Sequence, residues 1–174
     1  MLINLSDVLS EYHKTIDTTV PIEMTEFVST LGSFPVIEKK DAHIVVKHVK
    51  RRALLIEGAC NVVLEIPCDR CLEPVKTEMN LEFVKNVDLE ESNDHSDELD
   101  EKNYIDGCNL DVDKLLYNEM LIGWPMKILC SEDCKGICNV CGQNLNKGTC
   151  DCEDTSLDPR MSVIRDVFKN FKEV

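Results

Sequence analysis

A cluster of cysteines near the carboxyl end constrains this chain more than any other feature. Six of the ten cysteines fall within residues 130–152. Among them, Cys138 and Cys141 are three positions apart and are followed by Gly142, which is the spacing of a metal knuckle. Thiolates at such spacings favour a soft, tetrahedral ion, so we predict zinc. An iron–sulfur cluster and a disulfide framework are the alternatives.

The cluster offers more thiols than a single zinc ion needs. Cys138 and Cys141 are the surest pair of ligands, and spacing leaves open whether the upstream pair, the downstream pair or one cysteine from each completes the set. Four thiolates leave no open coordination position, so we expect a structural ion whose binding is coupled to folding of the segment. Removal of one true ligand should then unfold it. The candidate metal ligands are Cys130, Cys134, Cys138, Cys141, Cys150 and Cys152.

Cys68 and Cys71 form a second, separate thiol signal. A Cys-x-x-Cys pair can be a structural turn, half of a metal site or a redox pair. Redox work is disfavoured because the pair lies between two predicted strands and not at the start of a helix. A further alternative joins this pair to two spare cysteines of the cluster, so that eight cysteines hold two zinc ions.

The fold class follows from the two-residue periodicity of the middle of the chain. In residues 54–66 every second position shares one face of a strand: Ile56, Gly58, Cys60, Val62, Leu64 and Ile66. Residues 75–83 alternate between apolar and polar positions, as a strand of a half-buried sheet does. No long helix is predicted between them, so we predict an α+β protein. Its core is an antiparallel β-meander or small barrel with flanking helices and a small C-terminal zinc-knuckle module. Residues 32–35 are predicted to be a loop, and His43 and His48 to lie on a strand surface.

Three regions are predicted along the chain. Residues 1–87 form a mainly antiparallel β core with a short N-terminal helix. Residues 88–102 are strongly acidic and are predicted to be a flexible linker or loop. Residues 103–174 contain a helix, the cysteine-rich metal module at 130–152 and a C-terminal helix that packs on the core.

The net charge of −14 bears on the kind of partner. An acidic protein is poorly suited to holding RNA through phosphate contacts and better suited to a basic partner. A basic patch at residues 47–52 is predicted to be a solvated hairpin turn, with RNA contact as the alternative. The residues that would make such a contact are Lys47, Lys50, Arg51 and Arg52.

The sequence lacks the patterns of targeting segments and of common catalytic motifs. The first residues do not have the pattern of a signal peptide, and no run is long and apolar enough to cross a bilayer. We therefore expect a cytoplasmic protein with reduced thiols. The sequence contains no phosphate-binding loop, zinc-protease motif or nucleophile elbow, so we expect no enzymatic activity and no small-molecule substrate.

Four motifs occur in this order along the chain: the stretch from Cys68 to Pro74, the stretch from Trp124 to Lys127, the stretch from Cys130 to Asn146, and Asp158, Pro159 and Arg160. Together they resemble the motifs of the YceD family, the large ribosomal RNA subunit accumulation proteins of bacteria and plastids. The resemblance implies a role in large-subunit biogenesis through synthesis, processing or stability of ribosomal RNA, without an established enzymatic activity. Some members keep the first cysteine pair while lacking the cluster, which implies that the two thiol sites are independent.

The family role and the charge together predict how the protein acts. We expect it to bind a basic ribosomal protein or a large-subunit assembly intermediate, with effects on ribosomal RNA that are indirect, and not to bind a membrane. The alternative is a zinc-thiolate redox sensor or regulatory protein that releases its ion on oxidation.

Overall fold

The structure is a computed structural model that describes residues 1–10, 14–50, 53–88 and 104–152. The described chain falls into two compact units. The first, called the sheet unit, combines Met1–Ile66 with Lys76–Met126. The second, called the cysteine unit, combines Pro67–Val75 with the segment that begins at Lys127. The predicted division into residues 1–87, 88–102 and 103–174 stays a prediction.

Strands dominate the described residues, and two helices flank them, which confirms the predicted α+β class. The elements in chain order are β1 Leu2–Asn4, α1 Ser6–Ser10, β2 Thr15–Val20, β3 Glu26–Ser29, β4 Gly32–Lys39, β5 Ala42–Lys50, β6 Ala53–Pro67, β7 Pro74–Asp88, β8 Ile105–Asp106, β9 Asn109–Asp111 and α2 Val112–Ile122.

The long strand β6 is the centre of the six-stranded sheet. The strand order is β2-β5-β6-β4-β3, and β7 also pairs with β6. β5 pairs with the first half of β6, and β4 pairs with the second half. Between these two pairings, the Lys40 N–H donates to the Asn61 carbonyl at 3.0 Å, so β4 and β5 together follow β6 along its length. The pairs β2–β5, β3–β4, β4–β6 and β5–β6 are all antiparallel, as predicted. The order is not that of a simple meander, however, because β2 lies beside β5 and β4 lies beside β6.

The core is formed by the apolar positions of the alternating strands. Ile56 and Leu64 of β6 are fully buried, and Met79, Leu81 and Phe83 of β7 are also buried, so the predicted inward faces are confirmed. Burial of such side chains contributes about 2 kcal/mol each.

Gly58 allows a close approach between these two strands. The ring of Phe83 lies over it, and a Cβ atom at this position would be 2.2 Å from the Phe83 Cζ atom. Any larger residue at position 58 would clash with the Phe83 ring, so packing within the sheet favours glycine there.

Helix α2 begins where the sequence provides a capping residue. Asp111 is the N-cap, and its side chain accepts a hydrogen bond from the Lys114 N–H at 3.3 Å. The helix predicted within residues 103–174 is confirmed. It begins after β9, which occupies residues 109–111 and pairs with β1. Its buried side chains are Val112, Leu115, Leu116 and Met120.

The loop predicted at residues 32–35 is wrong. These residues open β4, where Phe34 pairs with Phe27 of β3. The Trp124 ring lies 5.2 Å from the Phe27 ring and 5.1 Å from the Phe34 ring. This aromatic packing stabilises the hairpin and outweighs the turn preference of the glycine and proline.

The two histidines of β5 differ from each other. His43 is exposed, as predicted, with a ring nitrogen 2.8 Å from the Asp17 carboxylate. The predicted surface position of His48 is wrong, because its exposed fraction is only 6%. The alternation of β5 places His48 on the same face as the buried Ile44 and Val46.

Two predicted segments lie outside the described residues: nearly all of the acidic stretch at 88–102 and the C-terminal helix. Within the described ranges, no helix has the length and apolar character needed to cross a bilayer.

Candidate metal centres

Eight cysteines of the cysteine unit form two groups of four. Within each group, the sulfur atoms all lie within 4.8 Å of one another, so each group can hold a metal ion. The inter-segment group combines the turn after β6 with the segment that follows Lys127; its members are Cys68, Cys71, Cys130 and Cys134. The local group lies within one short segment; its members are Cys138, Cys141, Cys150 and Cys152.

The inter-segment group has the spacing of tetrahedral coordination. The Sγ atoms of Cys68 and Cys134 are 3.8 Å apart, and those of Cys71 and Cys130 are 3.5 Å apart. Four sulfurs bound to one zinc ion at about 2.3 Å lie about 3.8 Å from each other. A disulfide would require about 2.05 Å. The spacing therefore fits a single ion better than two disulfides.

This group lies in an apolar environment. Cys68, Cys71 and Cys134 have exposed fractions of 0%, 4% and 3%, whereas Cys130 is exposed. The side chains that pack against the buried sulfurs are those of Val75, Leu129 and Ile137. A charged thiolate in such surroundings is costly unless a cation compensates it.

The backbone brings the two segments of this group together. In the turn, the Cys68 N–H donates to the Glu73 carbonyl at 2.8 Å and the Leu72 N–H donates to the Cys68 carbonyl at 2.9 Å. The Asp69 N–H donates to the Ile128 carbonyl at 2.9 Å, and the Ile128 N–H donates to the Asp69 carboxylate at 2.6 Å. This reciprocal pair holds the turn against the segment that carries the other two cysteines.

Arg70 strengthens the same connection. Its guanidinium donates to the Cys134 carbonyl at 2.7 Å, and its own carbonyl accepts from the Ile137 N–H at 3.1 Å. Gly136 passes close to this carbonyl, since a Cβ atom there would be 3.0 Å from the Arg70 oxygen. Gly136 also has a φ of 79°, which favours glycine.

The local group is built on the predicted knuckle. The Cys138 N–H donates to the Gln143 carbonyl at 2.8 Å, and the Gly142 N–H donates to the Cys138 carbonyl at 2.9 Å. The Val140 N–H donates to the Cys138 sulfur at 3.4 Å. Gly142 has a φ of 73°, as the tight turn requires.

Asn146 forms a hydrogen bond to one sulfur of the inter-segment group, that of Cys134, although the two residues are not close in sequence. Its amide nitrogen donates to the Cys134 sulfur at 3.3 Å, and its amide oxygen accepts from the Lys135 N–H at 2.8 Å. Such contacts orient metal ligands in known sites. The amino-acid sequence indicates Asn146 only as part of a family motif. Its contact with a thiol cannot be predicted from the spacing of the residues.

Glu73 connects the turn to the loop between the two groups. The Lys147 ammonium donates to its carboxylate at 2.6 Å, and the Asn144 amide donates to it at 3.2 Å. The hydrogen bond and charge of Lys147, together with Asn144, lower the pKa of Glu73, and Glu73 raises the pKa of Lys147. The pair is solvent-exposed, so we assign it a minor energetic role.

Each group contains at least one thiol whose pKa is lowered. Burial opposes ionisation of Cys68, but backbone N–H groups, that of Arg70 foremost, lower its pKa to about 6. Backbone N–H groups of Cys141 and Val140 lower the pKa of Cys138 to about 6. A thiolate at neutral pH is the form that binds metal.

Each group also contains a thiol that resists ionisation. The Glu73 N–H favours the thiolate of Cys71, but burial and the neighbouring thiols raise its pKa to about 12. A hydrogen bond with Cys141, together with burial, raises the pKa of Cys152 to about 12. Four clustered thiols cannot all become anions without a counter-charge, and a divalent cation supplies it.

The structure brings together the six cysteines predicted as metal ligands and the pair at Cys68 and Cys71. It divides the six between the two groups, which differs from the independence of the two thiol sites that the family resemblance implies. Binding of metal and the identity of the ion stay predictions. A complete set of four sulfurs leaves no open position for catalysis.

The remaining predicted site residues lie elsewhere. The Lys47 ammonium is paired with the Glu57 carboxylate at 2.7 Å. The Lys50 side chain and residues 51–52 lie outside the described part of the chain, so the structure does not describe the basic patch as a whole. Of the two cysteines outside the groups, Cys60 is half-buried and Cys108 is exposed. Burial raises the pKa of Cys60 to about 11.

The family model described as large ribosomal RNA subunit accumulation protein YceD matches residues 56–168, a span that includes both cysteine groups. The chain belongs to the YceD family. The resemblance of the sequence motifs is thereby confirmed.

One curated relative in this family is a plant protein. It is the large ribosomal RNA subunit accumulation protein YCED homolog 1, chloroplastic, from Arabidopsis thaliana, which is 27% identical over 132 residues. The match covers 59% of this chain and 40% of the relative, so it spans less than half of the relative's length. No solved structure gives a significant match to this chain.

Proposed function

We propose that this YceD-family protein is a non-catalytic factor that supports accumulation of the ribosomal RNA of the large subunit, through its synthesis, processing or stability. The observation that carries the proposal is the family match over residues 56–168. The name of the plant relative assigns the same role to that protein.

We propose zinc as a structural cofactor. Sulfur atoms within 4.8 Å of one another leave room for one ion. An iron–sulfur cluster inserts several iron and sulfide atoms between its cysteines and needs a wider arrangement. Among single ions, zinc suits four thiolates in tetrahedral geometry and leaves no position open to substrate.

The proposed partner is a basic ribosomal protein or an assembly intermediate that contains one. The net charge of −14 supports a basic partner, because complementary charge accelerates association. The same negative charge repels the phosphates of RNA. In the described part of the basic patch, Lys47 is already neutralised by Glu57. Effects on ribosomal RNA then follow from the protein partner.

Depletion of the protein in its native host tests the role. We expect the ratio of large-subunit to small-subunit ribosomal RNA to fall, and a plasmid copy of the wild-type gene to restore it. Cys108→Ser, outside both cysteine groups, should restore the ratio equally well. An unchanged ratio on depletion would refute the proposed function.

Affinity capture from growing cells tests the partner. We expect a basic ribosomal protein to remain bound after nuclease digestion of RNA. Charge reversal at Lys47, Lys50, Arg51 and Arg52 together should not weaken this capture. Loss of the bound protein on nuclease treatment, with direct binding of ribosomal RNA by the purified chain, would instead favour RNA contact through the basic patch.

The redox-sensor alternative is favoured by one observation, the exposure of Cys141 in the local group. An exposed cysteine sulfur is accessible to oxidation by peroxide. Zinc content and free thiols are measured before and after mild peroxide treatment. Unchanged zinc removes this alternative, whereas release coupled to thiol loss supports it.

A further inference from the structure

We infer that the chain binds two zinc ions, one in each cysteine group, and that the ion of the inter-segment group joins the turn at residues 68–73 to the segment around Cys130 and Cys134. The inference deepens the proposed cofactor and rests on its identity as zinc. It does not depend on the proposed role in ribosomal RNA accumulation.

The two Cys-x-x-Cys turns, at Cys68 and at Cys138, have the same backbone hydrogen bonds. In each turn, the first cysteine N–H donates at 2.8 Å to the carbonyl five positions later. Its carbonyl accepts at 2.9 Å from the residue four positions later, which is Leu72 in one turn and Gly142 in the other. Both of these residues have positive φ, 60° and 73°. The turn at Cys68 is therefore a metal knuckle in its backbone, although its sequence lacks the glycine.

Both groups provide N–H donors to their sulfur atoms. Cys68 Sγ accepts from the Cys130 N–H at 3.4 Å, and Cys138 Sγ accepts from the Val140 N–H at 3.4 Å. Cys134 Sγ accepts from the Asn146 side chain at 3.3 Å. Donors directed at sulfur stabilise thiolates, and such outer contacts accompany metal ligands.

Three of the four inter-segment sulfurs are buried among apolar side chains, at distances too long for disulfides. Thiolates in such a place need a cation, and four of them form a complete coordination shell for one zinc ion. The local group has its own four sulfurs, so neither group needs a ligand from the other.

The test counts metal ions per full-length chain purified with zinc under reducing conditions. Plasma mass spectrometry and native mass spectrometry should both give two zinc ions. Cys71→Ser and Cys141→Ser should each lower the count to one. Cys108→Ser is the matched control, because Cys108 belongs to neither group, and it should retain two.

Cadmium substitution keeps the inference testable if a variant does not fold. The wild-type protein loaded with cadmium-113 should give two resonances in the tetrathiolate range, and all eight grouped thiols should resist alkylation. A count of one ion would overturn this inference while leaving a structural zinc in the proposed function. A count of zero would overturn both, and neither result would touch the role in ribosomal RNA accumulation.

Discussion

Each of the two cysteine groups offers four thiols, but in a different structural setting. The inter-segment group joins cysteines 59 and 66 positions apart, and three of its sulfurs are buried. The local group draws on residues 138–152, and none of its cysteines is buried. An ion in the first group would stabilise a tertiary contact, whereas an ion in the second would shape a loop.

The two knuckles differ in one residue that sharpens this comparison. Gly142 is free to adopt a positive φ, but Leu72 adopts a φ of 60° with a side chain that is 64% exposed. The left-handed conformation costs a non-glycine residue about 1 kcal/mol or more. The surrounding contacts of Asp69 and Arg70 hold the first turn in place against this strain.

The largest effect is expected from Cys71→Ser. Loss of the inter-segment ion should lower the free energy of unfolding of the cysteine unit by more than about 4 kcal/mol, because a buried metal site is lost. Hydrogen exchange should become fast at residues 67–75 and 127–137. Slow exchange there in the variant would show that the ion is not what joins the segments.

Cys141→Ser should have a smaller and more local effect. The local group closes one short loop, so fast hydrogen exchange should be confined to residues 138–152 while the turn at 68–73 stays protected. Equal loss of protection in both segments would break the distinction between the two groups.

Asn146→Ala should weaken the inter-segment ion without removing it. Loss of the donor to Cys134 should reduce affinity for that ion by about 10- to 100-fold, which is typical of outer contacts. Competition with a chelator, followed by native mass spectrometry, measures this. Gln143→Ala is the control, because the Gln143 side chain donates to the Thr149 carbonyl and not to a sulfur.

Gly136→Ala and Gly142→Ala compare the backbone of the two groups. Both residues have positive φ, so each substitution should cost about 1 kcal/mol. Gly136→Ala should cost more, since its Cβ would be 3.0 Å from the Arg70 carbonyl, whereas nothing lies within 4 Å at Gly142. Chemical denaturation, with hydrogen exchange as the readout, compares the loss of stability caused by the two substitutions. Equal losses would argue against the close approach at Arg70.

Leu72→Gly should have the smallest effect and the opposite sign. Relief of the positive φ is partly offset by the greater freedom of glycine in the unfolded chain, so we expect a gain of less than about 1 kcal/mol. A loss of stability would mean that the leucine side chain makes a contribution that its exposure does not reveal.

Strand β6 shows how far periodicity predicts this fold. The alternation of Ile56, Val62 and Leu64 gave the inward face correctly, because the two faces of a strand are fixed by backbone geometry. The same approach failed for residues 32–35, because packing of Phe27 and Phe34 with Trp124 depends on residues distant in sequence. His48 lies on the inward face, where the alternation of β5 places it, although histidine is less often buried than the aliphatic residues beside it.

The amino-acid sequence by itself determined which residues can bind metal, the knuckle at Cys138 and Cys141, and the family of the chain. Those features are local or carried by residue type, so spacing alone reveals them. Only the tertiary structure decided that Cys130 and Cys134 join Cys68 and Cys71, while the last two cysteines join the knuckle. The physical reason is that this division depends on contacts such as that between Asp69 and Ile128, which bring distant segments together and leave no trace in the spacing of the cysteines.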